Sequence, residues 1–421
     1  MVKMRSALAA AVAFLSASVA AVSFSGFASD LESIKFAINI PQEENSNALY
    51  FSMSAPIETS WFAVGMGGST MKDSLMFMAY LDKSGKNMTL SPRLSYGQVE
   101  PSFTPDVGIT ILNGTEVTKD TMTVSVKCFG CRKWKGGAID PTSTNAKFIW
   151  ANGGVGAIKS NSKNAAIKRH GSYGRFQMDL TKAVGPGGAA PLNTTKTEGS
   201  LQISEVADRN FMSGAHACIM VFTFVGLMPI AVLLLRVANS PRLHGVVQAV
   251  SASLALVGLA LGLKVGMMYN RTRKFNTAHQ IIGLLVIIMM VGQFVLGFLH
   301  HRMFVKTKAP TKLAPIHIWL GRVVILAGTV NAFIGFPLAL NARFDLFLLG
   351  IVLFMVILSG PLIFWRWRRN IQKAEKEAEI GKPRGGGYQS EPWRGEVGRG
   401  DVDLGNYPPP PQPMQPPPMY R

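Results

Sequence analysis

The apolar residues of this chain change rhythm twice. From about Leu31 to Leu180 they come in short runs. TMTVSVKCF (121–129) alternates apolar and polar positions, the period of a half-buried strand. FAVGM and LMFMAYL are brief and bounded by Gly, Asp or Ser, and no long helical periodicity interrupts them. The pattern predicts an all-β sandwich over 29–184. GPGGAAPLNTTKTEGS (185–200) reads as flexible, and a linker is expected over 185–212. The rhythm then lengthens. Five apolar runs, at 215–237, 243–268, 277–300, 314–340 and 344–365, each exceed the ~20 residues that cross a bilayer core. They predict an all-α bundle of five transmembrane helices over 213–368. The remainder, 369–421, ends in YPPPPQPMQPPPMYR and reads as a disordered tail prone to polyproline II. Such a tail suits an SH3 or WW partner, although a passive tail is the plainer reading.

The first 28 residues read as a secretory signal. Lys3 and Arg5 precede an apolar stretch from Ala7 to Val22, and small residues at Gly26–Ser29 offer a cleavage site. An exported sandwich starts the first span outside, and five spans return the C-terminus to the cytosol. The expected location is the plasma membrane or an endomembrane. Inner segments then carry Arg236 and Arg242, next Arg302, Lys306, Lys308 and Lys312, and finally WRWRR. The outer Arg271, Arg273 and Lys274 run against that bias and suggest an outer docking patch. The net charge of +19 is therefore largely flanking charge facing anionic lipid, and a nucleic-acid partner is not expected. Sequons at Asn87, Asn113 and Asn193 lie in the exported half, and Asn270 lies between two spans.

Seven histidines occur, and four recur at one position: His216, His244, His279 and His317 open the first four spans. Alternating topology puts His216 and His279 near the outer face, and His244 and His317 near the inner face. Two facing imidazoles at each end make two bis-histidine sites for a planar iron tetrapyrrole. At 1.5 Å per residue the two layers stand roughly 20 Å apart. A lone histidine at a helix start is more often a cap, but ionisable groups inside spans are functional by default. Zinc would be left undercoordinated by two histidines per layer. His300 and His301 close the third span and read as juxtamembrane, with a rival claim as inner ligands.

Cys128 and Cys131 form CFGC, a spacing open to metal, redox or disulfide chemistry. No second ligand pair and no βαβ setting accompanies it. After a signal peptide a structural disulfide is the simplest reading. Cys218 reads as a small buried residue.

The four membrane segments resemble the cytochrome b561 family. HACIMVFTFVGLMPIAVLLLR (216–236), HGVVQAVSASLALVGLALG (244–262), HQIIGLLVIIMMVGQFVLGF (279–298) and HIWLGRVVILAGTVNAFIGF (317–336) look like its core helices. The resemblance implies two haem b groups, on His216 with His279 and on His244 with His317, and ascorbate or a related reductant on the cytosolic side. The soluble half resembles the DOMON fold, most closely the cytochrome domain of fungal cellobiose dehydrogenases. WFAVGMGGSTMKDSLMFMAY (61–80) looks like its methionine-ligand segment, CFGCRKW (128–134) like its disulfide turn and IKRHGSYGRFQMDL (167–180) like its histidine-ligand segment. By that match Met71 and His170 hold a third haem b, and Cys128 pairs with Cys131. Met66 and Met76 rival Met71, because one extra residue separates GG from the methionine.

These readings describe an electron-transfer oxidoreductase of ferric-reductase or ascorbate-dependent type. An anionic donor would dock near Arg242, Lys306, Lys308 and Lys312, and an external acceptor would take the electrons. A second copy of the chain is a further candidate partner. The other class of reading is a membrane-anchored sensor that binds a sugar or haem without redox turnover. No flavin or dinucleotide site accompanies the domains, since GGVG (153–156) is a lone glycine cluster.

Overall fold

The structure, a computed structural model, describes residues 22–31, 34–42, 47–192 and 197–379. The leader at 1–21, Asn193 and the proline-rich tail beyond 379 lie outside the described residues.

The N-terminal half is a sandwich of two seven-stranded sheets. Ser25–Ala28, Lys35–Pro41, Ala48–Pro56, Thr121–Phe129 and Gly108–Ile111 form the spine of the first sheet. The second runs Leu201–Ala207, His170–Met178, Ala146–Gly153, Phe62–Met66, Leu75–Leu81, Met88–Leu94 and Ser102–Phe103. Alternation decides which side chains meet. Phe36, Phe51, Phe62, Val64, Phe77, Phe148 and Phe176 are buried in the core between the sheets. Phe27 stacks on Phe176 at 3.9 Å between ring centres. Cys128 and Cys131 are joined in a disulfide.

Two expected boundaries move. Ser25–Ala28 is a fully buried strand paired with Lys35–Ile38. Cleavage near Ala28 would strip Phe27 from the core, so a leader, if removed, must end before Ser25. The expected linker also contains a strand: Leu201–Ala207 pairs with the His170–Met178 strand from Ser172↔Ala207 to Gln177↔Leu201. LQISEVA supplies the edge that would otherwise leave the His170–Met178 strand half unpaired.

Five helices follow, each long and apolar enough to cross a membrane: α1 Phe211–Arg236, α2 Pro241–Met268, α3 Ala278–Thr307, α4 Leu313–Leu338 and α5 Asp345–Glu379. Asn210, Ser240 and Thr277 cap the first three through their side chains, satisfying amides that the first turn leaves open. α1 passes through a π-helical turn at Phe222–Leu227. Pro229 cannot donate to Val225, and the amide of Met228 reaches back to Thr223. Phe224, Met228, Ala255, Val286, Met290 and Val324 form the core of the four-helix part. α5 packs at its side through Leu348 and Met355 against Val225, with Phe336 adjoining. It continues in helix to Glu379, so the tail expected from 369 begins later. Cys218, expected to be buried, is exposed on α1.

The sandwich sits on one end of the bundle. Asn270, in the α2–α3 loop, donates its backbone N–H to Glu100 Oε2 at 2.8 Å and its side-chain amide to the carbonyl of Pro101 at 3.2 Å. Arg271 donates to the carbonyls of Ile167 in the sandwich, at 3.0 Å, and Leu338 in α4, at 2.9 Å.

Candidate functional site: two facing histidine pairs

The four span-opening histidines meet in two layers. His216 on α1 and His279 on α3 face each other at the end next to the sandwich, their ring centres 6.1 Å apart. His244 on α2 and His317 on α4 face each other at the far end, 6.5 Å apart.

Each ring is held the same way. The Nδ1–H of His216 donates to the carbonyl of Gly258 at 2.8 Å, His244 to Ala231 at 2.9 Å, His279 to Asn331 at 3.0 Å and His317 to Gln293 at 3.2 Å. A carbonyl only accepts, so Nδ1 carries the proton and Nε2 keeps its lone pair. This is the arrangement that orients a metal-binding imidazole. Its steric basis lies on the opposing helix. A Cβ on Gly262 would stand 2.7 Å from Cε1 of His216, one on Gly335 2.8 Å from Cε1 of His279, and one on Gly297 2.7 Å from Cε1 of His317. Each of these glycines lies four residues beyond the carbonyl its histidine uses, and so stands one helical turn along the same face. His244 differs: Leu235 stands at that position, near the end of α1.

The spacing fits a metal. A bond of about 2 Å from each nitrogen to a central ion, with about 1 Å more from nitrogen to ring centre, sets two ring centres roughly 6 Å apart. The observed separations of 6.1 and 6.5 Å match haem held between imidazoles. At the far layer the Gln293 amide donates to Nε2 of His317 at 3.3 Å, and it must turn aside for that nitrogen to bind iron. His300 also reaches this layer: its ring centre is 6.4 Å from that of His317, and Nδ1 lies 2.6 Å from Thr311 Oγ1.

A cavity of about 280 Å³ opens beside His216 and His279. Lys168 and Arg169 of the sandwich and Arg271 of the α2–α3 loop line its mouth. Arg271 is thus a half-buried clamp between the domains, and not part of the outer docking patch expected with Arg273 and Lys274. Burial first, then Arg343 and Arg271, press the Lys168 ammonium below its ordinary pKa.

The residues expected in the sandwich are placed less simply. His170 opens its strand opposite Gly153, whereas Met71 lies in the loop after Met66, which is opposite Phe148. At about 3.3 Å per residue those levels are roughly 16 Å apart, so the two residues approach from opposite ends of one sheet. On the face between them Ala63 stands opposite Ala151, and Gly65 stands opposite Ile149, whose side chain covers the glycine. Nδ1 of His170 lies 2.9 Å from Asp208 Oδ2. Burial lowers the His170 pKa, Asp208 opposes that shift and Arg169 adds to it. Met66 is fully buried in the sandwich core. Met76, opposite Gly65, stays on the outer face.

Asn87 and Asn113 are exposed, whereas the Asn270 side chain is engaged by Pro101 and Ser102. Arg242, Lys306, Lys308 and Lys312 are exposed at the far end.

Residues 17–186 match the family model for the cytochrome domain of cellobiose dehydrogenase, and residues 215–341 match that for eukaryotic cytochrome b561. Among solved structures the chain is similar to the cytochrome b domain of pyranose dehydrogenase from Coprinopsis cinerea, with 20% identity over 38% of this chain and 84% of that one and a TM-score of 0.36. It is also similar to the cytochrome domain of Myriococcum thermophilum cellobiose dehydrogenase, with 17% identity over 39% and 85% and a TM-score of 0.32. No curated protein matches it. The chain is therefore a membrane protein with one region that matches the cytochrome domain of cellobiose dehydrogenase and a second, within the five apolar helices, that matches eukaryotic cytochrome b561, a pairing that supports b-type cytochrome electron transfer.

Proposed function

We propose that this protein moves electrons across a membrane from a cytosolic anionic reductant of the ascorbate class to an acceptor outside. Haem b, when bound, supplies the one-electron couple. His244 and His317 hold the inner centre, and His216 and His279 the outer one. Arg242, Lys306, Lys308 and Lys312 draw the donor to the inner end by charge. The sandwich, exported, stands between the outer centre and the acceptor, which is ferric iron, an oxidised ascorbate radical or an extracellular oxidoreductase. A third centre in the sandwich uses His170 and Met71, with His170 turned away from Asp208.

The observation that carries this reading is the shared tautomer: all four membrane imidazoles give Nδ1–H to a backbone carbonyl, which leaves Nε2 unprotonated. The test is a reduced-minus-oxidised spectrum of the full chain, with haem counted against protein. The expected result is b-type bands, with Met71→Ala altering only the component assigned to the soluble domain. Absence of b-type bands after haem-replete expression would overturn the relay and favour a membrane-anchored binding protein.

A further inference from the structure

The cavity beside His216 and His279 has an uneven charge. Lys168, Arg169 and Arg271 line it, and among the described residues no carboxylate does. Arg169 is paired with Asp208 at 2.6 Å, and Arg271 lies 3.9 Å from Glu100. Both acids lie outside the lining. Lys168 Nζ donates to Asn341 Oδ1 at 2.8 Å, a neutral partner. The remaining polar lining at the mouth, Asn210, Tyr269 and Asn341, is uncharged at neutral pH. Arg169 and Arg271 thus already have acid partners, which leaves Lys168 as the cation met by a neutral group, and an anion entering the cavity would be attracted by all three.

The cations also come from both domains. Lys168 and Arg169 belong to the sandwich, and Arg271 follows the end of α2. Arg271 holds the halves together, bonding a sandwich carbonyl at Ile167 and an α4 carbonyl at Leu338. Its guanidinium stacks 4.4 Å above the Tyr269 ring. The hydroxyl of Tyr269 in turn accepts from Asn210, the cap of α1, at 2.9 Å. The site exists only while the sandwich is docked.

We propose that the two domains jointly build a carboxylate site over the outer histidine pair, with Lys168, Arg169 and Arg271 as its cations. The carboxylate has two sources that share this chemistry: the acidic side chains of a tetrapyrrole held by His216 and His279, or a small organic acid entering from outside. The inference rests on the haem reading of that pair.

The experiment uses the full chain in nanodiscs, as wild type, Lys168→Ala, Lys168→Glu and, as a control on the same side, Arg273→Glu. Redox potentiometry follows both membrane centres with and without citrate, a non-reducing tricarboxylate. Acylation of Lys168, read by mass spectrometry, is compared in haem-free, haem-loaded and citrate-treated protein. Lys168→Glu is expected to lower the potential of one centre and spare the other, with Lys168→Ala shifting it less and Arg273→Glu leaving both. If the carboxylates belong to the tetrapyrrole, haem loading protects Lys168 and citrate moves nothing. If a free acid binds, citrate protects Lys168 and lowers the wild-type potential, and the Lys168 variants lose that response. Unchanged potentials in Lys168→Glu, together with equal Lys168 labelling in all three states, would overturn the site. Missing b-type bands would instead sink the electron-transfer reading, a separate outcome.

Discussion

His216 and Gly262 touch across the α1–α2 interface: a Cβ on Gly262 would lie 2.7 Å from Cε1 of the imidazole. The ring can reach the Gly258 carbonyl because nothing projects from the next turn. Gly262→Ala should therefore push His216 off its carbonyl, at a cost of about 1–3 kcal/mol for overpacking. The measurable result is lower haem occupancy at one membrane centre, with the other retained. Gly335→Ala, against His279, should affect the same centre, and Gly297→Ala, against His317, the other. Full occupancy in all three variants would remove the glycines from the design of the site.

Removal of one ligand per layer should abolish one centre at a time. His244→Ala and His317→Ala should each lose the far centre, and His216→Ala and His279→Ala the near one, as counted by haem per protein. His300→Ala is expected to keep both centres, since that ring stacks alongside His317 at 25° while His244 crosses it at 84°. Loss of the far centre in His300→Ala would make His300 the ligand in place of His244.

Arg93 is fully buried and donates to the carbonyls of Lys163 at 3.1 Å and Ala165 at 2.9 Å. It pins the segment that leads to Lys168, Arg169 and His170. Arg93→Leu removes those donors, and buried acceptors left unpaired cost about 1–3 kcal/mol each. The Lys163 carbonyl keeps a donor in the Ser91 hydroxyl, so the soluble domain should lose about 1–3 kcal/mol of stability by that measure, and amide exchange should quicken over 158–169. Exchange unchanged in that segment would contradict the pinning role.

Occupancy of the sequons should follow exposure. Asn87 and Asn113 are open, whereas the Asn270 amide donates to Pro101 within the domain interface. Glycopeptide mass spectrometry of protein made in the secretory pathway should find glycans at Asn87 and Asn113 and none at Asn270. A glycan at Asn270 would mean that the sandwich does not sit on the bundle as described.

The membrane half was legible because a histidine opening each of four alternating spans leaves little freedom: topology alone sorts His216 with His279 and His244 with His317. The glycines were not read, although their signal was present. Gly262, Gly335 and Gly297 each follow the carbonyl of a neighbouring helix by four residues, but which carbonyl faces which ring depends on packing between helices. The strand Leu201–Ala207 escaped for a local reason: its alternation breaks at Ser204–Glu205, and it adjoins a Gly- and Pro-rich run that dominates any composition window. Arg271 looked like stray outer charge because its partners, the carbonyls of Ile167 and Leu338, are distant in sequence and belong to the backbone.

The strand Leu201–Ala207 leaves the sandwich only four residues before α1 begins at Phe211, and Asp208 in that gap grips both Arg169 and His170. A soluble cytochrome on a long tether can swing out, search a volume and return. This one has no reach. Its distance from the outer histidine pair is set by the fold and not by diffusion of a linker. On the proposed relay, electron passage between the halves should therefore be insensitive to solvent viscosity, and a redox partner of the sandwich would have to come to it.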